Sequence, residues 1–230
     1  MIQHIFFDLD HTLWDFETNA HSALHDLYHQ LHLARKGVTS FDLFIQKYLY
    51  HNELMWNKYH QGKISSDELK WKRMYVTLLE FKIGDEQLAK QMASTFLEIL
   101  PEKKAVFVGA FETLDYLLAK KYKLHLITNG FEKTQHRKLA SSGLAKYFTQ
   151  VITSEATGFV KPNKEIFDYA LQQANATTTN SIMIGDNIEA DIKGAYNAGW
   201  QTVFANYVAA PIPQEASYTI TALVQLQQIV

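Results

Sequence analysis

Two carboxylates, Asp8 and Asp10, close the apolar run His4-Ile5-Phe6-Phe7 almost at the start of the chain. Acids are seldom fully buried without a partner, and acids gathered at the tip of a buried segment point to a cation. Three later stretches add complementary groups. Leu124-His125-Leu126-Ile127 runs into Thr128-Asn129-Gly130, where a hydroxyl and backbone N–H groups at a helix start favour an anion. Lys161, within Gly158-Phe159-Val160-Lys161-Pro162, supplies a compact positive charge. Gly185-Asp186-Asn187-Ile188-Glu189-Ala190-Asp191 contributes two more acids. An acid pair, a hydroxyl, a lysine and a second acid pair, in that order, suit phosphate chemistry.

Such groups need strand tips to hold them. The run ending at Asp8 is apolar on both faces, as in the middle of a parallel sheet. Further strand-like runs lie at residues 123–129, 150–155, 181–186 and 201–206, with helix-like stretches between them. This alternation predicts βαβ units, a parallel sheet, and ligands at the carboxyl ends of its strands. Roughly a hundred residues separate the first two strands, where about a dozen suffice for a crossover, so a domain is inserted there. From about Asp15 to Leu100 the insert reads as helical, with Ala20, Ala23, Leu24, Leu27, Tyr28 and Leu31 at helical spacing. Gly37, Gly62 and Gly84 divide it into about four helices. The expected organisation is an α/β, Rossmann-like core over residues 1–14 and 106–230, with an α-helical cap over 15–105 that crosses the mouth of the sheet and swings on two strands of chain.

Composition limits the function classes. The 230 residues are 47% hydrophobic, enough for a sizeable core. A formal net charge of −2 recommends neither a nucleic-acid polymer nor a membrane surface as partner, so a small substrate is expected. There is no cysteine for a disulfide, a thiolate nucleophile or a zinc ligand. A first strand at the N-terminus leaves no room for a signal peptide, and no apolar run spans a bilayer, so the expected location is the cytoplasm.

The series Asp8-Leu9-Asp10-His11-Thr12, Thr128-Asn129-Gly130, Lys161-Pro162 and Gly185-Asp186 with Asp191 resembles the four motifs of the haloacid dehalogenase (HAD) superfamily, and the helical insert resembles the C1 cap of its subfamily I. Thr128-Asn129-Gly130-Phe131 with Gln135, Gly143-Leu144, Tyr147-Phe148 and Lys161-Pro162 through Leu171 resembles the YjjG/YfnB-type pyrimidine 5′-nucleotidases. The resemblance implies a Mg²⁺-dependent phosphomonoester hydrolase, with Asp8 as nucleophile forming an aspartyl-phosphate and Asp10 as general acid and base. It implies Thr128, Asn129 and Lys161 as the phosphate-binding residues. The metal would take the Asp8 carboxylate, the Asp10 backbone carbonyl and the Asp186 carboxylate, with Asp191 orienting a bound water. A cation meets a physical need, because each like-charge pair of phosphate and carboxylate costs about 4 kcal/mol at about 4 Å and an effective dielectric near 20. An acid at position 10 favours phosphate transfer over dehalogenation, where no leaving oxygen needs a proton. The implied substrate is a nucleoside monophosphate; the alternative is a sugar-phosphate or phosphoglycolate phosphatase, or a phosphomutase, of the same superfamily. A monomer or a homodimer is expected.

Other residues read more plainly. His21, His25, His29 and His32 flank the apolar stripe of the first cap helix and are expected on a solvated or partly packed face. His11 is expected to be a spacer. Tyr48, Trp56, Tyr59, Trp71 and Tyr75 give the cap an aromatic core. Asn52, Trp56 and Arg73 resemble positions of the nucleotidase cap and are candidate substrate contacts, with Trp14 and Phe16 as further candidates beside the acids.

Overall fold

The run His4–Phe7 is buried at every residue and forms β1, the interior strand from which the fold is organised. The computed structural model describes residues 1–230. Four further apolar runs form β2 (Lys123–Thr128), β3 (Gln150–Thr153), β4 (Ser181–Gly185) and β5 (Gln201–Ala205), and Tyr218–Ile220 adds β6. The six strands lie in the order β3-β2-β1-β4-β5-β6, and all neighbouring pairs are parallel. The chain builds outward from β1 through β2 to β3, then crosses to the other side of β1 for β4. Chain order therefore reverses between β1 and β4, and the loops leaving their carboxyl ends diverge and open a crevice there. Asp8 and Asp186 directly follow those two strands. The strands stop short of the expected ends because Asn129, Ser154, Asp186 and Asn206 leave the ladder for the loops. The sequence expectation missed β6, whose three residues are too few for period-2 alternation to register.

By its packing the chain divides into two units, Met1–Phe16 with Lys104–Val230, and Glu17–Lys103. The joint lies a little inside the expected cap because Leu13 to Asp15 bond to the chain returning to the core: Phe107 N–H donates to the Leu13 carbonyl at 2.9 Å and Asp15 N–H to the Ala105 carbonyl at 3.1 Å.

In the larger unit the sheet is accompanied by α5 to α9 once the helical unit has supplied α1 to α4. Helices α1 (Phe16–Gln30), α2 (Phe41–His60), α3 (Ser66–Leu79) and α4 (Glu86–Ile99) precede α5 (Ala110–Ala119), α6 (Glu132–Ser142), α7 (Ser154–Thr157), α8 (Lys164–Ala174) and α9 (Gly194–Asn197). One face of the sheet is filled by Phe6, Ile127, Ile152 and Met183 against Ile166 and Phe167 of α8 and Trp200. Each such side chain contributes about 1.5–3 kcal/mol on burial. One polar pair lies in the sheet: His4 and His125, 2% and 1% exposed, stack with ring centroids 5.3 Å apart and share a hydrogen bond of 3.1 Å.

In the helical unit, Gly37, Gly62 and Gly84 all fall between helices. Ser40 caps α2, a Ser65–Glu68 capping box starts α3, and Asp85 caps α4, each oxygen accepting an N–H that the first turn leaves free. Leu24, Leu27, Phe44, Tyr48, Met74, Leu78, Met92 and Phe96 are its buried core. His21, His25 and His29 lie exposed on α1, with His21 and His25 edge-on to Phe41. No helix is long and apolar enough to cross a membrane.

Candidate active site

Beyond β1 the chain curls at once: the Leu9 carbonyl accepts the N–H groups of Leu13 at 3.0 Å and Trp14 at 2.9 Å. This turn holds Asp8, Asp10 and Thr12 at the mouth of the crevice. From β4, Gly185-Asp186 leads into a π-helical turn, Ile188–Lys193, that carries Asp191 back beneath the strand end. Carboxylate oxygens of Asp8, Asp186 and Asp191 lie within 4.8 Å of one another. The close approach needs Gly185, since a Cβ there would stand 2.2 Å from Asp191 Oδ2.

Lys161 binds this cluster. Its Nζ donates to Asp191 Oδ1 at 2.6 Å, Asp8 Oδ1 at 2.7 Å and the Ile127 carbonyl at 2.8 Å, so all three ammonium donors are engaged. Asp191 Oδ2 accepts the Asn187 N–H at 3.0 Å, and Asp186 Oδ1 accepts the Thr12 hydroxyl at 3.0 Å. The Thr12 carbonyl in turn accepts the Tyr207 hydroxyl.

Three carboxylates thus gather near one ammonium, which bonds two of them, Asp8 and Asp191. Burial pushes the Asp8 carboxyl well above the usual range; Lys161 opposes the rise, while Asp191 and Asp186 add to it. Asp186 is pushed up to about 7, first by burial and then by Asp191. For Lys161, burial works against the charge, but the Asp191 and Asp8 carboxylates outweigh it and hold the amine above the ordinary lysine range. Acids this reluctant to ionise call for a second positive charge. The donors are all oxygens, which suits a hard divalent cation, so the residues present fit a metal site.

The Asp10 carboxylate takes no part in this cluster. It turns to the first turns of α6, where Lys138 Nζ donates to Oδ1 at 2.6 Å and to Oδ2 at 2.8 Å, and Gln135 Nε2 donates to Oδ2 at 3.1 Å. The two adjacent carboxylates are therefore sorted, one into the acid cluster and the other beside it. Gln135 Nε2 also donates to Thr128 Oγ1 at 2.7 Å, so one amide links the end of β2 to the loop after β1. A Cβ on Gly130 would stand 2.4 Å from the Gln135 amide, which explains a glycine there.

The side chain of Asn129 is engaged with the Lys161 backbone. Its Oδ1 accepts the Lys161 N–H at 2.8 Å and its Nδ2 donates to the Lys161 carbonyl at 3.0 Å, so the amide braces the lysine. Trp14, a candidate substrate contact, is fully buried, and its ring lies under the Lys138 ammonium, 4.3 Å from Nζ. Its role here is packing, because no part of the ring is free to stack on a ligand.

In the helical unit, Asn52 and Arg73 form one buried network: Arg73 Nη1 donates to Asn52 Oδ1 at 2.9 Å, the Tyr48 hydroxyl donates to the same oxygen at 3.4 Å, and the guanidinium lies 5.5 Å from the Phe96 ring centroid. Trp56 is half-buried beside Tyr59 and His60.

Lys138, Gln135 and Thr12 were absent from the sequence expectation as acting residues. A signal existed for two of them. Gln135, Lys138, Leu139 and Ser142 follow i, i+3, i+4, i+7 spacing, which places an amide and a lysine on the buried face of α6.

The chain is similar to known proteins over nearly its whole length. The family model for haloacid dehalogenase-like hydrolases matches residues 2–199. The pyrimidine 5′-nucleotidase PynA of Streptococcus pneumoniae is 34% identical over 203 residues, spanning 88% of this chain and 83% of that one. The pyrimidine 5′-nucleotidase YjjG of Escherichia coli is 32% identical over 228 residues, spanning 98% and 96%. Among solved structures, the putative HAD-hydrolase YfnB of Bacillus subtilis, bound to magnesium, superposes with a TM-score of 0.88 at 30% identity, covering 99% of this chain and 98% of that one.

Proposed function

We propose, from the premise that this chain belongs to the haloacid dehalogenase-like hydrolase family and is a phosphatase of that family, that it is a Mg²⁺-dependent 5′-nucleotidase acting on pyrimidine nucleoside monophosphates. The observation that carries the reading is the sorting of the two neighbouring acids: Asp8 sits with Asp186, Asp191 and Lys161, and Asp10 stands apart on Gln135 and Lys138. A nucleophile and a proton carrier need such different settings.

Mg²⁺ would be held by the carboxylates of Asp8 and Asp186 and the backbone carbonyl of Asp10, with Asp191 alongside, and would offset the charge of an incoming phosphate. Asp8 attacks phosphorus in line with the ester oxygen. As the Asp8 oxygen–phosphorus bond forms, the phosphorus–ester bond breaks, and its electron pair takes the proton that Asp10 gives to the leaving oxygen. The alcohol departs, leaving phosphoryl on Asp8 and a carboxylate on Asp10. Asp10 then removes a proton from water as that water attacks phosphorus, which releases inorganic phosphate and restores both acids. Thr128 and Lys161 hold the non-bridging oxygens, Lys161 by turning toward the phosphate the N–H that it gives to Asp8 in the free protein, and Asn129 supports them by fixing the Lys161 backbone. Asn52, Trp56 and Arg73 are the proposed contacts to the nucleoside.

A phosphate-release screen over UMP, dUMP, sugar phosphates and phosphoglycolate tests this. Turnover is expected with Mg²⁺, to vanish with EDTA, to return when Mg²⁺ is restored, and to be lost in Asp8→Asn with the fold intact. Turnover that survives EDTA contradicts the metal requirement. Rates on UMP and dUMP no better than on small sugar phosphates reject base recognition and favour the sugar-phosphate alternative.

A further inference from the structure

The mechanism asks Asp10 to hand over a proton in one direction, yet a carboxylate on a loop can rotate about its side-chain bonds. Around Asp10 that freedom is removed by residues to which no catalytic role has been attached. Lys138 contacts both carboxylate oxygens, at 2.6 and 2.8 Å, and Gln135 adds a third N–H at 3.1 Å to Oδ2. A carboxylate offers about four lone-pair positions. Oδ2 accepts two donors and Oδ1 one, so the free acceptor position is on Oδ1.

Lys138 is itself fixed. It is 3% exposed although it carries an ammonium, and burying such a charge is unfavourable unless it is paired and enclosed. The enclosure is aromatic: Nζ lies 4.3 Å from the Trp14 ring centroid and 5.7 Å from that of Phe16. Trp14 is fully buried, and its indole N–H has no acceptor, so the polar edge of the ring does not account for its position, whereas its face against the ammonium does. The same turn that carries Asp10 also carries Trp14, tied by the Asp10–Trp14 bridge and the hydrogen bond from the His11 N–H to the Trp14 carbonyl. Aromatic floor, ammonium and carboxylate therefore form one preassembled unit across the loop after β1 and α6.

We propose that Lys138 is a positioning residue for the reaction, which, assisted by Gln135 and seated on Trp14, fixes the Asp10 carboxylate so that its one free Oδ1 position faces the ester oxygen and afterwards the attacking water. The inference rests on the phosphatase reading above. It predicts an effect confined to proton transfer. Substrate binding is left to the phosphate-binding groups, and Asp8 attack on an ester whose leaving group needs no proton is untouched.

The test compares Lys138→Met with wild type on two esters: the best alkyl phosphate found in the release screen, and 4-nitrophenyl phosphate, whose nitrophenolate leaves unprotonated. For the alkyl ester, kcat is expected to fall by about 10²-fold, within the range that general acid–base assistance contributes, with KM changed less than about twofold. For 4-nitrophenyl phosphate, stopped-flow should show a first burst of nitrophenolate at near the wild-type rate, then a slow steady state, because water attack on phosphorylated Asp8 still needs Asp10. Equal slowing of the burst and of alkyl-ester turnover overturns the assignment, as does a rise in KM at unchanged kcat, or no effect. Lys138→Arg keeps N–H donors for both oxygens and is expected to hold alkyl-ester kcat within about tenfold of wild type. That variant decides the matter if Lys138→Met does not fold: a larger fall, or a slowed burst, overturns the proposal. A wild-type protein that releases phosphate from no ester refutes the phosphatase reading instead, whereas an active wild type matched by Lys138→Met refutes the positioning role alone.

Discussion

The stacked pair His4 and His125 makes a prediction about stability that is independent of the active site. Burial, with smaller contributions from His4 and Lys123, lowers His125 from the ordinary 6.5 to about 4, and burial lowers His4 in the same direction. The folded protein therefore resists protonation of His125 while the unfolded chain accepts a proton below about pH 6.5. Stability from this residue is complete above that pH and is lost as pH falls toward 4. The full loss is about 3.4 kcal/mol, at about 1.36 kcal/mol per pH unit of displacement, and about 2 kcal/mol of it falls between pH 7 and pH 5. Asp8 and Asp186 work the other way, since carboxyls raised by folding gain protons in the native state first and stabilise it as pH falls. A comparison of wild type with His125→Leu removes them, because both proteins carry them. Urea unfolding at pH 7 and pH 5 in EDTA should show the stability gap between the two proteins shifting by about 2 kcal/mol in favour of the leucine variant at the lower pH. Parallel curves, with a gap constant across this window, would refute the reasoning that the pair is held neutral by burial.

Two further outcomes follow from the acid cluster. Gly185→Ala places a Cβ 2.2 Å from Asp191 Oδ2, and Asp191 is tied at both oxygens, so it cannot yield freely; a stability loss of about 1–3 kcal/mol from overpacking is expected, with a fall in kcat, read by thermal melting and phosphate release. Lys161→Met leaves Asp8 and Asp191 without their shared ammonium and should cost about 3–5 kcal/mol in EDTA; a urea midpoint equal to that of wild type would show that the cluster does not depend on the lysine.

Much of the framework was legible in the residues. Apolar runs ending in polar groups, separated by helical periodicities, are local signals, and they gave the parallel sheet and the placing of Asp8, Thr128 and Asp186 at strand tips, whereas Lys161 lies past α7, in the loop before α8. The long gap after β1 and the spacing of Gly37, Gly62 and Gly84 likewise marked an inserted helical unit, because breaks in periodicity need only neighbouring residues to be seen. β6 escaped, since three residues make no pattern.

What the chain by itself determined, then, is which chemical groups are available and which end of the sheet presents them. What only the tertiary structure decided is which group meets which. Nothing in the sequence sends Asp8 to Lys161 and Asp10 to Lys138, residues 153 and 128 positions away, or turns the Asn129 amide to the Lys161 backbone, or pairs His4 with His125 across 121 positions. Hydrophobic periodicity is read along one segment at a time, whereas hydrogen bonds, ion pairs and desolvation depend on distances of a few ångströms between segments, and those distances exist only once the sheet has brought them together.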